Sequence, residues 1–178
     1  MFLYRISENR IAIRVGSTSQ FSGGKLVLIS DISIHPDFSG VKNDIAVLTL
    51  ESPLEWTERI NKIDIATSPS DEPSPGAEVT VAGWGEQSSE ASTYKLHAAK
   101  FVVADNAACS SAYSGNDEST ICLAHDLKKG SCTGDAGNGA VYNNKLIGVS
   151  SFVIGACGSR YPDVFDSVAY YSSWIESV

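Results

Sequence analysis

Residues 129–141 read KGSCTGDAGNGAV, and this stretch decides the fold more than any other part of the chain. A cysteine is followed by Gly-Asp, then by small residues, and then by an apolar run that ends at Val149. This order is typical of a loop that presents a nucleophile next to a buried strand. Alanine occupies position 136, where the nucleophile would lie. The sequence therefore predicts a reactive loop without its reactive side chain.

Composition limits the class of protein. The 178 residues suit one domain or two small lobes that share a core, and an apolar fraction of 43% is enough to build that core. Thirteen basic and 21 acidic residues give a formal net charge of −8. Such a surface repels a phosphate backbone, so we expect no nucleic-acid partner. No apolar run reaches membrane-spanning length, so we expect no membrane span either.

Four cysteines lie in the C-terminal half, and no CxxC pattern relates them. With only three histidines in the chain, the sequence implies neither a metal nor a cofactor. Two disulfides are the better interpretation, although the sequence alone allows three pairings. Disulfides indicate an extracellular compartment, whereas the first ten residues lack the regions of a signal peptide. The four residues are Cys109, Cys122, Cys132 and Cys157.

Short apolar or alternating segments rich in β-branched residues predict an all-β barrel or sandwich. Gly, Ser, Pro and Asn separate these segments, and Asn143-Asn144 lies where a tight hairpin turn is expected. The residues between 66 and 76 resemble a linker. The predicted strands lie within residues 10–18, 25–34, 44–50, 77–85, 95–103, 140–144 and 145–154.

Helix is predicted in only two places. Residues 105–113 begin with Asp-Asn, which is typical of a helix cap, and continue with alanines. Residues 166–178 have an apolar face at helical spacing. That face consists of Val168, Tyr171, Trp174, Ile175 and Val178.

Several segments in order resemble the chymotrypsin-like serine proteases, the trypsin family. They are NDIAVLTL at 43–50, VAGWG at 81–85, GSCTGDAGNG at 130–139, and YPDVF with SSWI near the end. The resemblance runs over about residues 10–178. It implies a chymotrypsin-like double β-barrel with a C-terminal helix, and the disulfides Cys109–Cys122 and Cys132–Cys157.

The resemblance implies a shortened N-terminal barrel. We expect one serine-protease-like domain, with a barrel remnant at 1–65, a linker and complete barrel at 66–165, and a helix at 166–178. About three of the six N-terminal strands are expected, so that lobe should exchange its amides quickly and leave apolar side chains uncovered. Those side chains include Ile11, Ile13, Val15, Leu26, Leu28, Ile45, Val47 and Leu48.

The catalytic roles that the resemblance implies are only partly filled. Asp44 matches the aspartate of the Ser-His-Asp triad, and Ala136 matches the serine. The family's histidine belongs to a segment upstream of the aspartate, which we expect to be absent here. His35, His97 and His125 are expected to be ordinary surface or strand histidines. We therefore expect no catalysis by the family's mechanism.

The loop around Ala136 keeps other family features. Gly134 and Ala136 match the backbone positions that form the oxyanion hole. Asp135 matches the carboxylate that pairs with a newly cut N-terminal amine in activated members. Because burying Asp135 unpaired would cost several kcal/mol, we expect it to find another donor or to turn to water, and we expect a zymogen-like loop. Asn138 and Gly139 replace the family's second Gly and its Pro.

The specificity pocket is also recognisable. Gly130 matches the pocket base, where trypsins carry Asp, and Asp163 matches a wall position usually held by Gly. This combination resembles brachyurin-type proteases of broad specificity. Val153 matches a position at the pocket mouth where it would narrow the entrance, as in elastases. Ser151 and Phe152 match the segment that pairs with the substrate backbone.

Three functional interpretations follow. The first is a secreted non-catalytic homologue that binds peptides, inhibitors or a protease partner through the cleft. The second is a serine endopeptidase represented by an incomplete or altered sequence. The third is a product without function. The sequence indicates no oligomeric state.

Overall fold

A computed structural model describes residues 3–7, 10–87 and 94–178, with backbone alone for 3–7 and 10. The described residues form eleven β-strands and two α-helices. The strands are β1 Leu3–Ser7, β2 Arg10–Val15, β3 Lys25–Ile34, β4 Ala46–Leu50, β5 Asp64–Ile65, β6 Glu78–Gly83, β7 His97–Val103, β8 Thr120–Ala124, β9 Gly139–Tyr142, β10 Lys145–Phe152 and β11 Asp163–Ser167. The helices are α1 Asn106–Ala112 and α2 Val168–Ile175.

Six strands form a closed C-terminal barrel. Their order is β11-β8-β7-β6-β9-β10, and β10 pairs back onto β11 to close the circle. The short β5 adds to the outer side of β10 in parallel. Alternate side chains of the strands point inward and fill the interior, as expected for a small barrel. This core comprises Ala66, Val79, Val81, Phe101, Val103, Ile121, Leu123, Ala140, Ile147, Phe165 and Ala169.

The hairpin between β9 and β10 turns where the sequence predicted. Asn143 and Asn144 both adopt left-handed backbone angles, with φ of 45° and 60°. Tyr142 pairs with Lys145 across this two-residue loop. Asparagine tolerates such angles better than most residues, and the turn matches the twist of the strands it joins.

The N-terminal lobe is a sheet of four strands in the order β1-β2-β3-β4. The sequence predicted about three of these strands, and β1, Leu3–Ser7, is the one that it missed. Across the described residues the first and last strands of this sheet do not pair with each other, so the sheet is open.

The expectation of an uncovered apolar face was wrong for part of this lobe. Ile13 in β2 and Ile45 just before β4 are both buried. Leu26 is exposed, as expected. Ile34, at the end of β3, is also exposed, with 61% of its surface accessible.

A short segment before β4 joins the two lobes. The Ser151 hydroxyl donates to Asp44 Oδ2 at 2.7 Å, and the Tyr171 hydroxyl donates to Asn43 Oδ1 at 2.9 Å. Ser151 belongs to β10 and Tyr171 to α2. Asn43 and Asp44 therefore fix the open sheet against the closed barrel.

Both helices lie where the sequence placed them. Asp105 caps α1 by accepting a hydrogen bond from the Ala108 amide at 2.7 Å. Ser167 caps α2, which ends at Ile175, so Val178 lies beyond the helix and is exposed. Including Val178 in the apolar face was therefore wrong. Neither described helix has the length and apolar character needed to cross a bilayer.

Both expected disulfides are present. Cys109 is bonded to Cys122, and Cys132 to Cys157, with Cα–Cα separations of 5.8 and 5.0 Å. The first bond ties α1 to β8, and the second ties the loop before Ala136 to the chain that follows β10. The linker-like stretch also packs on the barrel, since Asp71 pairs with Lys145.

The core predicts a contrast between two isoleucines in strands. Replacing the fully buried Ile147 by valine should lower the free energy of unfolding by about 0.5–1.5 kcal/mol, because a buried methylene is lost. The matched variant Ile34→Val, at an exposed position, should change it by less than about 0.5 kcal/mol. Urea unfolding measures both values. Equal losses would show that the barrel interior is not the main core.

Candidate functional site

A small cleft lies where the loop containing Ala136 meets the end of β10. Its volume is about 220 Å³. It brings together five of the residues that the sequence singled out, and Ser131 and the Cys132–Cys157 disulfide complete much of its wall. Those five are Gly134, Ala136, Ser151, Phe152 and Val153.

An irregularity in β10 directs Ser151 toward Asp44. The pairing of β10 with β11 shifts register between Ser150 and Phe152, so Ser151 is the additional residue. Such a bulge turns one side chain away from the regular alternation. Here the result is the 2.7 Å hydrogen bond from Ser151 to Asp44, which places the carboxylate at the edge of the cleft.

The three histidines lie in different surroundings. The His35 ring packs against Trp174 and Tyr171 of α2, with centroid distances of 4.8 and 5.3 Å. His97 begins β7 and is exposed. The His125 side chain is only 1% exposed, so treating it as an ordinary surface histidine was wrong. Among the described residues, no histidine is hydrogen-bonded to Asp44.

Asp135 is held by three nitrogen donors. Its Oδ1 accepts from the Gly85 amide at 2.9 Å and from Asn138 Nδ2 at 2.8 Å. Its Oδ2 accepts from the Cys132 amide at 3.1 Å. Asn138 is itself buried. The carboxylate therefore has the alternative donors that the sequence led us to expect, and one of them comes from a residue that departs from the family pattern.

The Gly-Trp-Gly segment leaves space for this carboxylate. A Cβ on Gly83 would lie 2.0 Å from Asp135 Oδ1, and a Cβ on Gly85 would lie 2.1 Å from Oδ2. Neither distance is sterically possible. The two glycines are therefore required for Asp135 to point inward.

A larger cavity, of about 490 Å³, lies on the other side of the same loop. Asp135, Gly83, Gly85 and His97 contribute to its wall. Gly130, predicted as the base of the specificity pocket, also lines this cavity, and it is not among the described residues that line the smaller cleft.

Asp163, predicted as a wall of the specificity pocket, is buried behind Ser131. Its Oδ2 accepts a hydrogen bond from the Ser131 amide at 2.6 Å, and its Oδ1 lies 3.3 Å from His125 Nε2. Hydrogen bonding to this carboxylate raises the pKa of His125. Asp163 is therefore near the cleft, but it does not line it within the described part of the chain.

Sequence analysis missed a second buried carboxylate in β11. Asp166 is 2% exposed, and its Oδ2 has no hydrogen-bond partner among the described residues. Burial, and then the nearby charge of Asp44, raise the pKa of Asp166 to about 7. The sequence signal that could have identified Asp166 is an aspartate within a short segment that contains Val164 and Phe165. The structure shows that all five positions of this strand are buried.

The described residues do not form a metal site. In the described part of the chain, no group of three or more His, Cys, Asp or Glu side chains is placed to hold an ion.

The sequence of this chain is similar to those of known proteins. The family model described as Trypsin matches residues 4–175. Trypsin beta of Drosophila erecta is 36% identical over 180 residues, which cover 97% of this chain and 70% of the relative. The serine protease SP24D of Anopheles gambiae is 32% identical over 174 residues, which cover 97% of this chain and 62% of that protein.

Two solved structures have the same fold. The scabies mite inactivated protease paralogue S-D1 superposes with a TM-score of 0.84 at 27% identity, over 94% of this chain and 75% of that one. Mouse neuropsin, described as a serine protease, superposes with a TM-score of 0.85 at 22% identity, over 96% of this chain and 80% of that one. The expected chymotrypsin-like fold is confirmed.

The donors around Asp135 predict a stability effect. Asn138→Ala should lower the free energy of unfolding by about 1–3 kcal/mol, since it removes a buried donor from the half-buried Asp135 carboxylate. Asn61→Ala, at an exposed position, is the matched control and should have an effect below about 0.5 kcal/mol. Chemical denaturation measures both. A neutral Asn138→Ala variant would show that the two backbone amides suffice.

Asp166 predicts a dependence of stability on pH. Its folded pKa of about 7 lies above the ordinary value of 3.8, so between these values the folded protein keeps a proton that the unfolded chain has released. Asp166 therefore costs stability as the pH rises through this range. Asp166→Asn removes the cost, and its stability relative to the unmodified chain should rise by about 3 kcal/mol between pH 5 and pH 8.

Thermal unfolding at the two pH values gives this difference. Asp64→Asn, at an exposed position in β5, serves as the control and should show no comparable change. A pH-independent difference for Asp166→Asn would mean that Asp166 is ionised in the folded protein throughout this range.

Proposed function

The chain belongs to the trypsin family of serine proteases, and from that premise we propose that it is a secreted homologue that binds peptide segments without cleaving them. The observation that carries the proposal is the alanine at position 136, which lines the cleft at the nucleophile position of the family. A methyl group has no lone pair to attack a carbonyl, so a covalent intermediate cannot form there.

The setting of Asp44 supports the same conclusion. Its carboxylate accepts a hydrogen bond from Ser151, and among the described residues no imidazole is available to it. An aspartate of this kind acts in the family by orienting a histidine base. Without that partner in reach, Asp44 serves here to join the two lobes.

The shape of the cleft favours retained binding. Ser151, Phe152 and Val153 lie at the end of β10 beside the entrance, and an extended peptide adds most easily along such a strand. Gly134 and Ala136 remain in the loop opposite, so their backbone amides can hold a carbonyl oxygen without attacking it. The expected partner is a peptide, a protein inhibitor or another protease.

The relatives include support for a non-catalytic homologue and support for an endopeptidase. The scabies mite protein is described as an inactivated protease paralogue, which supports a non-catalytic role. The insect relatives are named trypsins or a serine protease, which favours the alternative of an endopeptidase represented by an altered sequence. The two disulfides of this chain support the proposal that the protein acts outside the cell.

Labelling with a serine-directed phosphonate tests the absence of catalysis. The protein should remain unlabelled, because no serine hydroxyl occupies position 136, and a mixture of fluorogenic peptides should remain intact. An active trypsin serves as the control for the reagents. Stoichiometric labelling, or turnover that is lost on adding the phosphonate, would contradict the proposal.

The variant Ala136→Ser separates the two candidate functions. If the loss of function extends beyond the nucleophile, this variant should also remain unlabelled and inactive. Recovery of labelling and peptide hydrolysis would favour the endopeptidase that a single altered position had silenced.

A further inference from the structure

We propose that the cleft beside Ala136 selects an uncharged side chain, because His125 keeps the Asp163 carboxylate away from it. The inference rests on the proposed function of this cleft as a peptide-binding site. It assigns His125 a role in specificity that the sequence did not suggest.

Both carboxylate oxygens of Asp163 are occupied within the protein. The Ser131 amide donates to Oδ2 at 2.6 Å, and His125 Nε2 lies 3.3 Å from Oδ1. The side chains of His125 and Asp163 are only 1% and 3% exposed. A basic side chain entering the cleft therefore finds no free carboxylate, because Asp163 lies behind the described lining and already has its partners.

The position of His125 requires a charged ring. Its Nδ1 lies 2.9 Å from the carbonyl oxygen of Asp126, and its Nε2 faces a carboxylate oxygen. Both neighbours only accept hydrogen bonds, so both ring nitrogens must donate, and only the imidazolium does this. Asp163 and His125 therefore form an ion pair that is neutral as a whole.

The backbone at Gly130 passes close to the His125 ring. Gly130 has a φ of 122°, and a Cβ at this position would lie 2.6 Å from His125 Nε2. The ring of Phe101 packs edge-on against the histidine with a centroid distance of 5.7 Å. The glycine that the sequence placed at the pocket base is thus required because His125 lies behind it.

The described lining of the cleft is uncharged, and it includes one buried hydroxyl without a hydrogen-bond partner. No described residue that lines it carries a charged side chain. Ser131 lines the cleft, is 4% exposed, and its hydroxyl has no partner among the described residues. A buried hydroxyl of this kind favours a ligand that supplies the missing hydrogen bond. An uncharged side chain with an amide or hydroxyl end meets that condition.

The net charge of the His125–Asp163 pair becomes more negative when the pH rises above the pKa of His125. The ionisable groups that face His125 are Asp163 from β11 and Asp126 from its own loop, and Asp126 is also paired with Lys129 at 2.8 Å. From β7 only the uncharged Phe101 approaches. Since the pKa of His125 is raised, the ring loses its proton only above its ordinary range, and Asp163 then lacks a countercharge.

Binding of labelled tetrapeptides tests the inference. Four peptides that differ only in a C-terminal alanine, leucine, glutamine or arginine are compared by fluorescence anisotropy. We expect the glutamine and leucine peptides to bind at least about tenfold more tightly than the arginine peptide at pH 6, which is a difference in binding free energy of about 1.4 kcal/mol. Binding of the arginine peptide should improve once the pH exceeds the measured pKa of His125, and binding of the uncharged peptides should not.

The variant His125→Asn leaves Asp163 without a positive partner. It should shift the ratio of arginine to glutamine affinity toward arginine by about tenfold. His97→Asn, which replaces an exposed histidine that does not line this cleft, should leave the ratio unchanged. If His125→Asn does not fold, NMR titration of His125 in the unmodified protein provides the second measurement, and its pKa should lie above 6.5.

Three results would overturn the inference, and they are distinguishable. Preference for arginine in the unmodified protein, or a His125 ring that titrates at or below its ordinary pKa, overturns the inference and leaves the proposed function intact. Absence of binding for all four peptides overturns the proposed function and the inference together.

Discussion

The antiparallel ladder between β10 and β11 is the contact on which both the barrel and the cleft depend. It closes the six-stranded circle, so the interior around Phe165 and Ile147 is sealed from water. Its one irregularity exposes Ser151 to Asp44 and thereby joins the open sheet to the barrel. The strand β11 also carries Asp163, which pairs with Leu123 of β8 and lies behind Ser131. The packing of the barrel, the joining of the two lobes and the position of the cleft thus all depend on β10 and β11.

Carboxylates removed from water are costly, and this acidic chain has two buried ones, Asp163 and Asp166, and a half-buried one, Asp135, close to the cleft. Each is accommodated by different means. Asp135 receives three nitrogen donors, Asp163 receives a backbone amide and a histidine, and Asp166 keeps its proton to a pH of about 7. The first two solutions order the loop that surrounds Ala136. The loop around Ala136 is thus ordered by backbone amides of Gly85, Ser131 and Cys132 together with the side chains of Asn138 and His125.

Features with local causes could be predicted from the sequence. The hairpin at Asn143-Asn144, the cap at Asp105, both disulfides and the positions of most strands were all recognisable. Features with non-local causes could not. The strand β11 carries two aspartates among its five residues, and only the closed barrel makes it a buried strand. His125 is buried because of a partner 38 residues further along the chain, which no local pattern could indicate.

Binding without cleavage is the central claim, and NMR spectroscopy of the amide groups during addition of a glutamine-ended peptide tests it most directly. The amides of residues 134–136 and 151–153 should shift with a saturating dependence on peptide concentration, while mass spectrometry recovers the peptide intact. Shifts confined to other surfaces, or fragments of the peptide that accumulate with time, would contradict the claim.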